Sequence, residues 1–346
     1  MNIKLLFRDN MEEYIENIKK DNQEALFWSI SRLNSYNQCK RSYYYKYINK
    51  KSQKPSIYST LGTACHSSLE ELYQGKTNTL NKKYFTDEWK KCEIFGVNFP
   101  NSKYDIKGNY KKDIDTFYNI YKKRDGKNKK FISELGFVYR ISKVDYLMGY
   151  IDLLIINEDN TCDIVDFKTS STFDKNHIIS AGRQLILYKL AIEQLYGIKV
   201  NSVAWEMLKY VTVQIGDNKP KDEINGREWV KKCFAQIKTL MKKNGYDEST
   251  ISTLLNKAQV DNDISCLPKD IQNKIKVRTR IREYNVTDEL IEECQEYIKK
   301  TISSIKAKGE SIDEWNCSVD NFFCNNLCGF SCNSCEFDNN FSNGAL

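Results

Sequence analysis

Residues 146–157 and 161–170 read YLMGYIDLLIIN and TCDIVDFKTS. Two runs so rich in β-branched and aromatic residues, parted by Asp159 and Asn160, predict neighbouring strands. Each run carries an acid where an apolar strand would not place one. Asp152 interrupts the first, and Asp166 closes the apolar part of the second. A carboxylate at the end of a buried strand is better explained by chemistry than by solvation. Asp166 and Lys168 are two residues apart and therefore share a strand face, and Asp152 reaches that face if the strands pair. Two carboxylates held together repel unless a cation lies between them. Mg2+ accepts such hard oxygens. A lysine beside them can orient or deprotonate water, or stabilise charge developing on a phosphate. Taken singly, D-x-K is common and each residue could be a solvated strand-end charge, so the argument rests on their shared placement.

The flanking pattern predicts an α/β sandwich with a mixed central sheet. Residues 29–47 read as one helix with Ser31 as its N-cap, and residues 60–74 as a second that Gly75 ends. On the second helix His66, Leu69, Glu70 and Tyr73 share one side. A basic helical segment covers 76–130. Strands are expected at 131–141, 146–157, 161–170 and 202–215, with a helix at 180–197 that Gly197 ends. Residues 216–274 look helical and polar, an insertion before a strand (VRTRIREYNV) and a long helix from Thr287 to about Lys308. No linker divides the chain, which predicts one domain over 1–346.

These segments resemble the RecB-like branch of the PD-(D/E)XK nucleases, which includes CRISPR-associated exonucleases and AddB-type subunits. The resemblance rests on five motifs in order: SISRLNSYNQCKRSYYYKY, LGTACHSSLEEL, GYID, DIVDFKTS and GRQLILYKLAI. It implies a restriction-endonuclease-like core that cleaves DNA with Mg2+ or Mn2+. It places metal ligands on His66, Asp152 and Asp166, the catalytic lysine on Lys168, and site-lining side chains on Gln184 and Tyr188. On helix placement alone His66 is as readily structural as ligating; the motif order favours the ligand. The other histidine, His177, matches no motif.

Twelve cysteines in a reducing compartment are not expected to form disulfides. Cys324, Cys328, Cys332 and Cys335 crowd near the C-terminus in the order C-x3-C-x3-C-x2-C, which reads as a metal site. The resemblance implies a [4Fe–4S] cluster with one cysteine ahead of the nuclease core and three behind it. Cys39 takes the first place, and Cys324, Cys328 and Cys335 the others, with Cys332 as the alternative and Cys317 as an outside candidate. The sequence departs from the family's C-x2-C-x5-C spacing, and Lys40 stands where the family has proline. Zinc held by the C-terminal four and no metal at all are the competing assignments.

The formal net charge of +7 suits a polyanionic partner, although a Lys- and Asn-rich composition has the same effect. Lys122, Lys123, Arg124, Lys129 and Lys130 are candidates to track a DNA backbone, and Tyr43, Tyr44, Tyr45 and Tyr47 to stack on bases or line the core. No apolar run predicts a signal peptide or membrane span, so a cytoplasmic location is expected. The expected function is metal-dependent cleavage of DNA, exonucleolytic on single strands or ends, in recombination, repair or replication, with a phage genome as one setting and a helicase as one partner. The rivals are a DNA-binding structural subunit whose cluster shapes a nuclease-like fold, and a zinc-stabilised interaction module.

Overall fold

The computed structural model describes residues 5–174, 177–318 and 320–330. Seven strands form one mixed sheet: β1 (Leu26–Trp28), β2 (Lys130–Arg140), β3 (Asp145–Ile156), β4 (Cys162–Lys168), β5 (Val200–Ile215), β6 (Lys221–Asn225) and β7 (Ile275–Glu283). β3 pairs antiparallel with β2 and β4 and parallel with the short β1. β4 and β5 run parallel, so the chain between them must cross a face of the sheet. β6 and β7 both pair antiparallel with β5.

The helices are α1 (Arg8–Asp21), α2 (Ile30–Gln38), α3 (Lys40–Tyr43), α4 (Ile57–Tyr73), α5 (Lys83–Ile94), α6 (Ile106–Ile120), α7 (Ile178–Tyr196), α8 (Trp229–Lys243), α9 (Glu248–Asp261), α10 (Lys269–Gln272), α11 (Asp288–Lys306) and α12 (Asn321–Asn326). α7 is the β4–β5 crossover. It buries Leu185, Ile186, Ala191 and Ile192 with side chains of α2, α11 and the sheet in the largest core cluster. Its end is set by Gly197, whose φ of 65° lies in the left-handed region. α4, α5 and α6 cover the other face through Leu61, Cys65, Leu69, Phe85 and Ile114, packed on Leu153, Val165 and Phe167. Alternation along β4 thus sends Val165 and Phe167 to one helical layer and Ile164 to the other.

Three expectations need correction. The helix expected over 29–47 breaks at Cys39, whose φ of −160° and ψ of 114° are extended. The break lets Tyr43 stack on Trp315, with ring centroids 5.6 Å apart. Its N-cap is Ser29, not Ser31: the Ser29 hydroxyl accepts from the Arg32 N–H. Segment 216–274 contains β6 as well as helices. That strand, KDEIN, has one apolar residue, so no alternation marks it, yet β5 supplies its ladder. The helices after it, α8 to α10, build a satellite core around Trp229, Ile237, Met241 and Leu255 against the far end of β5.

Tyr43 and Tyr45 are buried, which removes them as base-stacking surfaces. Arg124 bonds the buried Glu206 at 2.6 Å and is not a backbone-tracking cation. No described helix is long and apolar enough to cross a membrane.

Candidate active site

The site forms where β3 and β4 part. Their ladder reaches Leu153↔Val165. One residue further, the Asp152 carboxylate accepts the Phe167 N–H at 2.7 Å. A side chain thus replaces the next ladder partner, and β4 continues paired with β5 on its other edge as far as Lys168↔Met207. The fork opens between α4 on one face and α7 on the other.

α4 brings His66 into the fork. Its Nδ1 lies 3.4 Å from Asp152 Oδ1, and its ring meets Phe167 edge-on, with centroids 6.1 Å apart. The approach is close at Gly62, one turn before His66: a Cβ there would stand 3.1 Å from the Oγ1 of Thr169, directly after Lys168. On the α7 side, Lys168 Nζ bridges Asp166 Oδ2 at 2.6 Å and Gln184 Oε1 at 2.9 Å. Gln184 Nε2 in turn donates to the Tyr188 hydroxyl at 2.6 Å. Gln184 and Tyr188 are four apart on one helix, so both reach the same spot. All six residues expected from the sequence, His66, Asp152, Asp166, Lys168, Gln184 and Tyr188, are therefore brought together.

Electrostatics follow from burial. Asp166 is 1% exposed. Burial, together with Asp152, raises its pKa against the pull of Lys168. Burial opposes the charge on Lys168, but Asp166 and Asp152 outweigh it and hold the amine above its ordinary value, an ammonium at neutral pH. For Asp152, burial is outweighed by His66, Lys168 and the Phe167 N–H, and its pKa falls. Burial raises the Tyr188 phenol well above its usual range, so it stays protonated.

Two acids at the site carry no role in the sequence reading: Glu134 is absent from it, and Glu70 only shares a helix side with His66. Glu134 lies in β2 between Ser133, opposite Leu153, and Leu135, opposite Ile151, which sets it across from Asp152. Its φ is +52°, a left-handed backbone that costs a non-glycine residue about 1–2 kcal/mol. Burial and Asp152 raise its pKa, and Arg8 opposes them. Glu70, one turn after His66, lines the same cavity of about 470 Å3 with His66, Glu134 and Asp152. The available signal was an acid inside the apolar run FISELGFV, the same anomaly that marks Asp152.

The donor set suits a hard divalent cation: an imidazole nitrogen, several carboxylate oxygens, and a buried Asp166 Oδ2 that has the Lys168 ammonium but no aligned hydrogen bond. Among the described residues, no three His, Cys, Asp or Glu side chains stand close enough to hold an ion as they lie. Lys168 supplies the positive charge at Asp166 instead.

The second expected metal site is partly outside the described residues, since Cys332 and Cys335 lie there. Cys39 meets Cys317, with sulfurs 4.0 Å apart. The buried Cys328 thiol lies within the electrostatic reach of Cys39 and Cys324. Cys317, the outside candidate, is thus brought beside Cys39. His177 stands at the N-cap position of α7 and pairs with Asp174 at 2.8 Å.

A model of the PD-(D/E)XK nuclease superfamily matches residues 27–339. The chain belongs to the PD-(D/E)XK nuclease superfamily. That membership implies hydrolysis of nucleic acid, and the mixed sheet between helical layers agrees with the superfamily core. No curated protein matches the sequence. Among solved structures, the crystal structure of SSO0001 is similar at 15% identity, covering 73% of this chain and 88% of that one, with a TM-score of 0.19.

If Asp152 shapes the fork as well as charging it, Asp152→Ala and Asp152→Asn should differ in stability. The alanine leaves the Phe167 N–H without its acceptor, at a cost of about 1–3 kcal/mol, whereas asparagine keeps an oxygen there. Urea unfolding of the metal-free proteins should rank Asn above Ala. Equal midpoints would deny the hydrogen bond a structural role.

Proposed function

We propose that the protein is a Mg2+- or Mn2+-dependent deoxyribonuclease, an exonuclease acting on single strands or ends in recombination, repair or replication. The observation that carries this reading is the fork itself: His66 meets Asp152 at 3.4 Å, and the buried Asp166 pairs with Lys168, which Gln184 holds from the other side. His66, Asp152 and Asp166 would hold the cation. Bound there, it would polarise the phosphate and lower the pKa of a water. Lys168, charged and oriented by Gln184, would then steady the attacking water and the charge growing on the phosphate. Tyr188 fixes the Gln184 amide, so Lys168 is aimed by a chain of two hydrogen bonds from α7. Such pre-orientation is what a phosphoryl-transfer site needs, because little covalent work falls to the protein.

The rival is a DNA-binding subunit that has kept only the fold. A structural role gives no reason to bury Asp166 beside Asp152 and to orient Lys168 with an amide and a phenol. We further propose one nuclease domain whose ends are joined by a metal held on Cys39 and C-terminal thiols, a [4Fe–4S] cluster or zinc. The 4.0 Å approach of Cys39 and Cys317 moves Cys317 up beside Cys324, Cys328 and Cys335 as a ligand.

Two experiments test these readings. Asp166→Ala and Lys168→Ala should each slow digestion of linear DNA in Mn2+ by a hundredfold or more, roughly the loss of one transition-state contact, while DNA binding and melting persist. Near wild-type turnover in either variant would exclude this site. After anaerobic purification, Cys39→Ser should lose broad visible absorbance and melt earlier than Cys92→Ser, whose parent cysteine lies on α5 in the core that α4, α5 and α6 share with the sheet. Equal spectra and equal melting would remove Cys39 as a ligand.

A further inference from the structure

The cavity at the fork has one wall that the catalytic residues do not explain. It comes from α1, which precedes the segment that matches the superfamily, residues 27–339. Arg8, the first residue of α1, lines the cavity together with Tyr58, His66, Glu70, Glu134 and Asp152. Its Nη2 donates to Glu134 Oε2 at 2.7 Å, and its guanidinium carbon lies 5.0 Å from the centroid of the Tyr150 ring.

The backbone that presents Arg8 is firmly held. Leu6 bridges Gly136 of β2, accepting that residue's N–H at 2.8 Å. The Tyr196 hydroxyl accepts from Leu6 N and donates to Gly136 O at 2.7 Å. Gly136 keeps this contact close, because a Cβ would stand 3.2 Å from Leu6 Cβ and displace the end of the Met11 side chain. Leu6 and Met11 are both 2% exposed in a small core with Ala25, Val138 and Tyr146. The Asn10 side chain accepts the Phe7 N–H at 2.7 Å. So the Cα of Arg8 is anchored, while its side chain is 67% exposed.

A structural ion pair does not account for this arrangement. A pair with one partner so exposed contributes about 0–1 kcal/mol. The substrate does supply a reason. The acids that line the cavity, Glu70, Glu134 and Asp152, repel a polyanion, and a cation at Asp152 neutralises only the phosphate being cut. The next phosphate along the strand meets carboxylates unless a fixed cation answers it. Arg8 is the one guanidinium or ammonium among the described residues that line the cavity. Guanidinium presents five donors in a rigid fork that matches phosphate, and its bond to Glu134 uses one of them. The Tyr150 ring and Glu134 keep the fork at the rim instead of letting it sweep through solvent.

We propose that Arg8 is a substrate-binding residue that grips a backbone phosphate neighbouring the scissile one. The proposal rests on the nuclease reading, and it assigns α1 to the DNA-binding surface.

The test measures affinity of the full-length protein for a labelled single-stranded oligonucleotide, in Ca2+ and in EDTA, across a salt series. Arg8→Ala should bind about tenfold more weakly at low salt. The slope of log K against log salt should shrink by about 0.7, the value for one phosphate contact on a single strand. Arg8→Lys should restore the slope and part of the affinity, because the charge stays and the fork is lost. Melting should change little in either variant, since the side chain is mostly exposed. Wild-type affinity and slope in Arg8→Ala would overturn the proposal. So would a lowered melting temperature with an unchanged slope, which would make Arg8 only an anchor for α1. Failure of the nuclease reading is distinguishable: the wild-type protein itself would then leave DNA intact in Mn2+, whereas failure of the Arg8 inference shows as equality between the variant and a wild type that cuts.

Discussion

The bond from the Phe167 N–H to the Asp152 carboxylate holds the rest of the site in place. A sheet ladder left to itself would continue β3 beside β4 and leave no space between them. By accepting the amide that the next ladder residue would take, Asp152 ends the pairing without stranding a buried donor. The two strands then diverge with their acids facing one opening. Against its burial, the same carboxylate is held below its usual range by His66, then by Lys168 and least by that N–H, so the group that opens the fork also stays charged in it.

The two sides of the fork are made differently. On the α7 side, the parallel β4–β5 connection forces a helix across the sheet, and that helix delivers Gln184 and Tyr188 above Lys168. The lysine is fixed by hydrogen bonds. On the α4 side, close packing does the work: the helix lies close to Thr169 at Gly62, and the Phe167 ring supports His66. Carboxylates concentrated between these walls have little to balance them besides Lys168, His66 and, at the rim, Arg8.

The parts of this arrangement that were legible in the sequence are those set by short-range periodicity. Asp166 and Lys168 share a face because strands alternate, and Gln184 and Tyr188 share one because helices repeat every three to four residues. An acid within an apolar strand marked Asp152. Glu134 carried that same mark, but its place beside Asp152 depends on the β2–β3 register and on a left-handed backbone that no pattern encodes. Arg8 lies 126 residues from its partner, and nothing local in RDNMEEY distinguishes it from any helix-start cation. The break at Cys39 was invisible for a related reason. Local propensity runs on through QCKRSYYYKY, whereas the ring that Tyr36, Tyr43 and Tyr44 pack on, Trp315, lies far along the chain. β6 exists because β5 offers an open edge, not because KDEIN prefers to be extended.

The central claim is that His66, Asp152 and Asp166 hold the cation that drives DNA hydrolysis. It is tested most directly by titrating DNA digestion with Mn2+ for the wild-type protein and for His66→Ala. Losing one nitrogen donor should weaken metal binding more than it harms the chemistry. The variant's activity curve should therefore shift to higher Mn2+ by about tenfold or more and recover much of its height at saturation. Curves that share one midpoint would mean that His66 does not ligate, and the account of the site would fail.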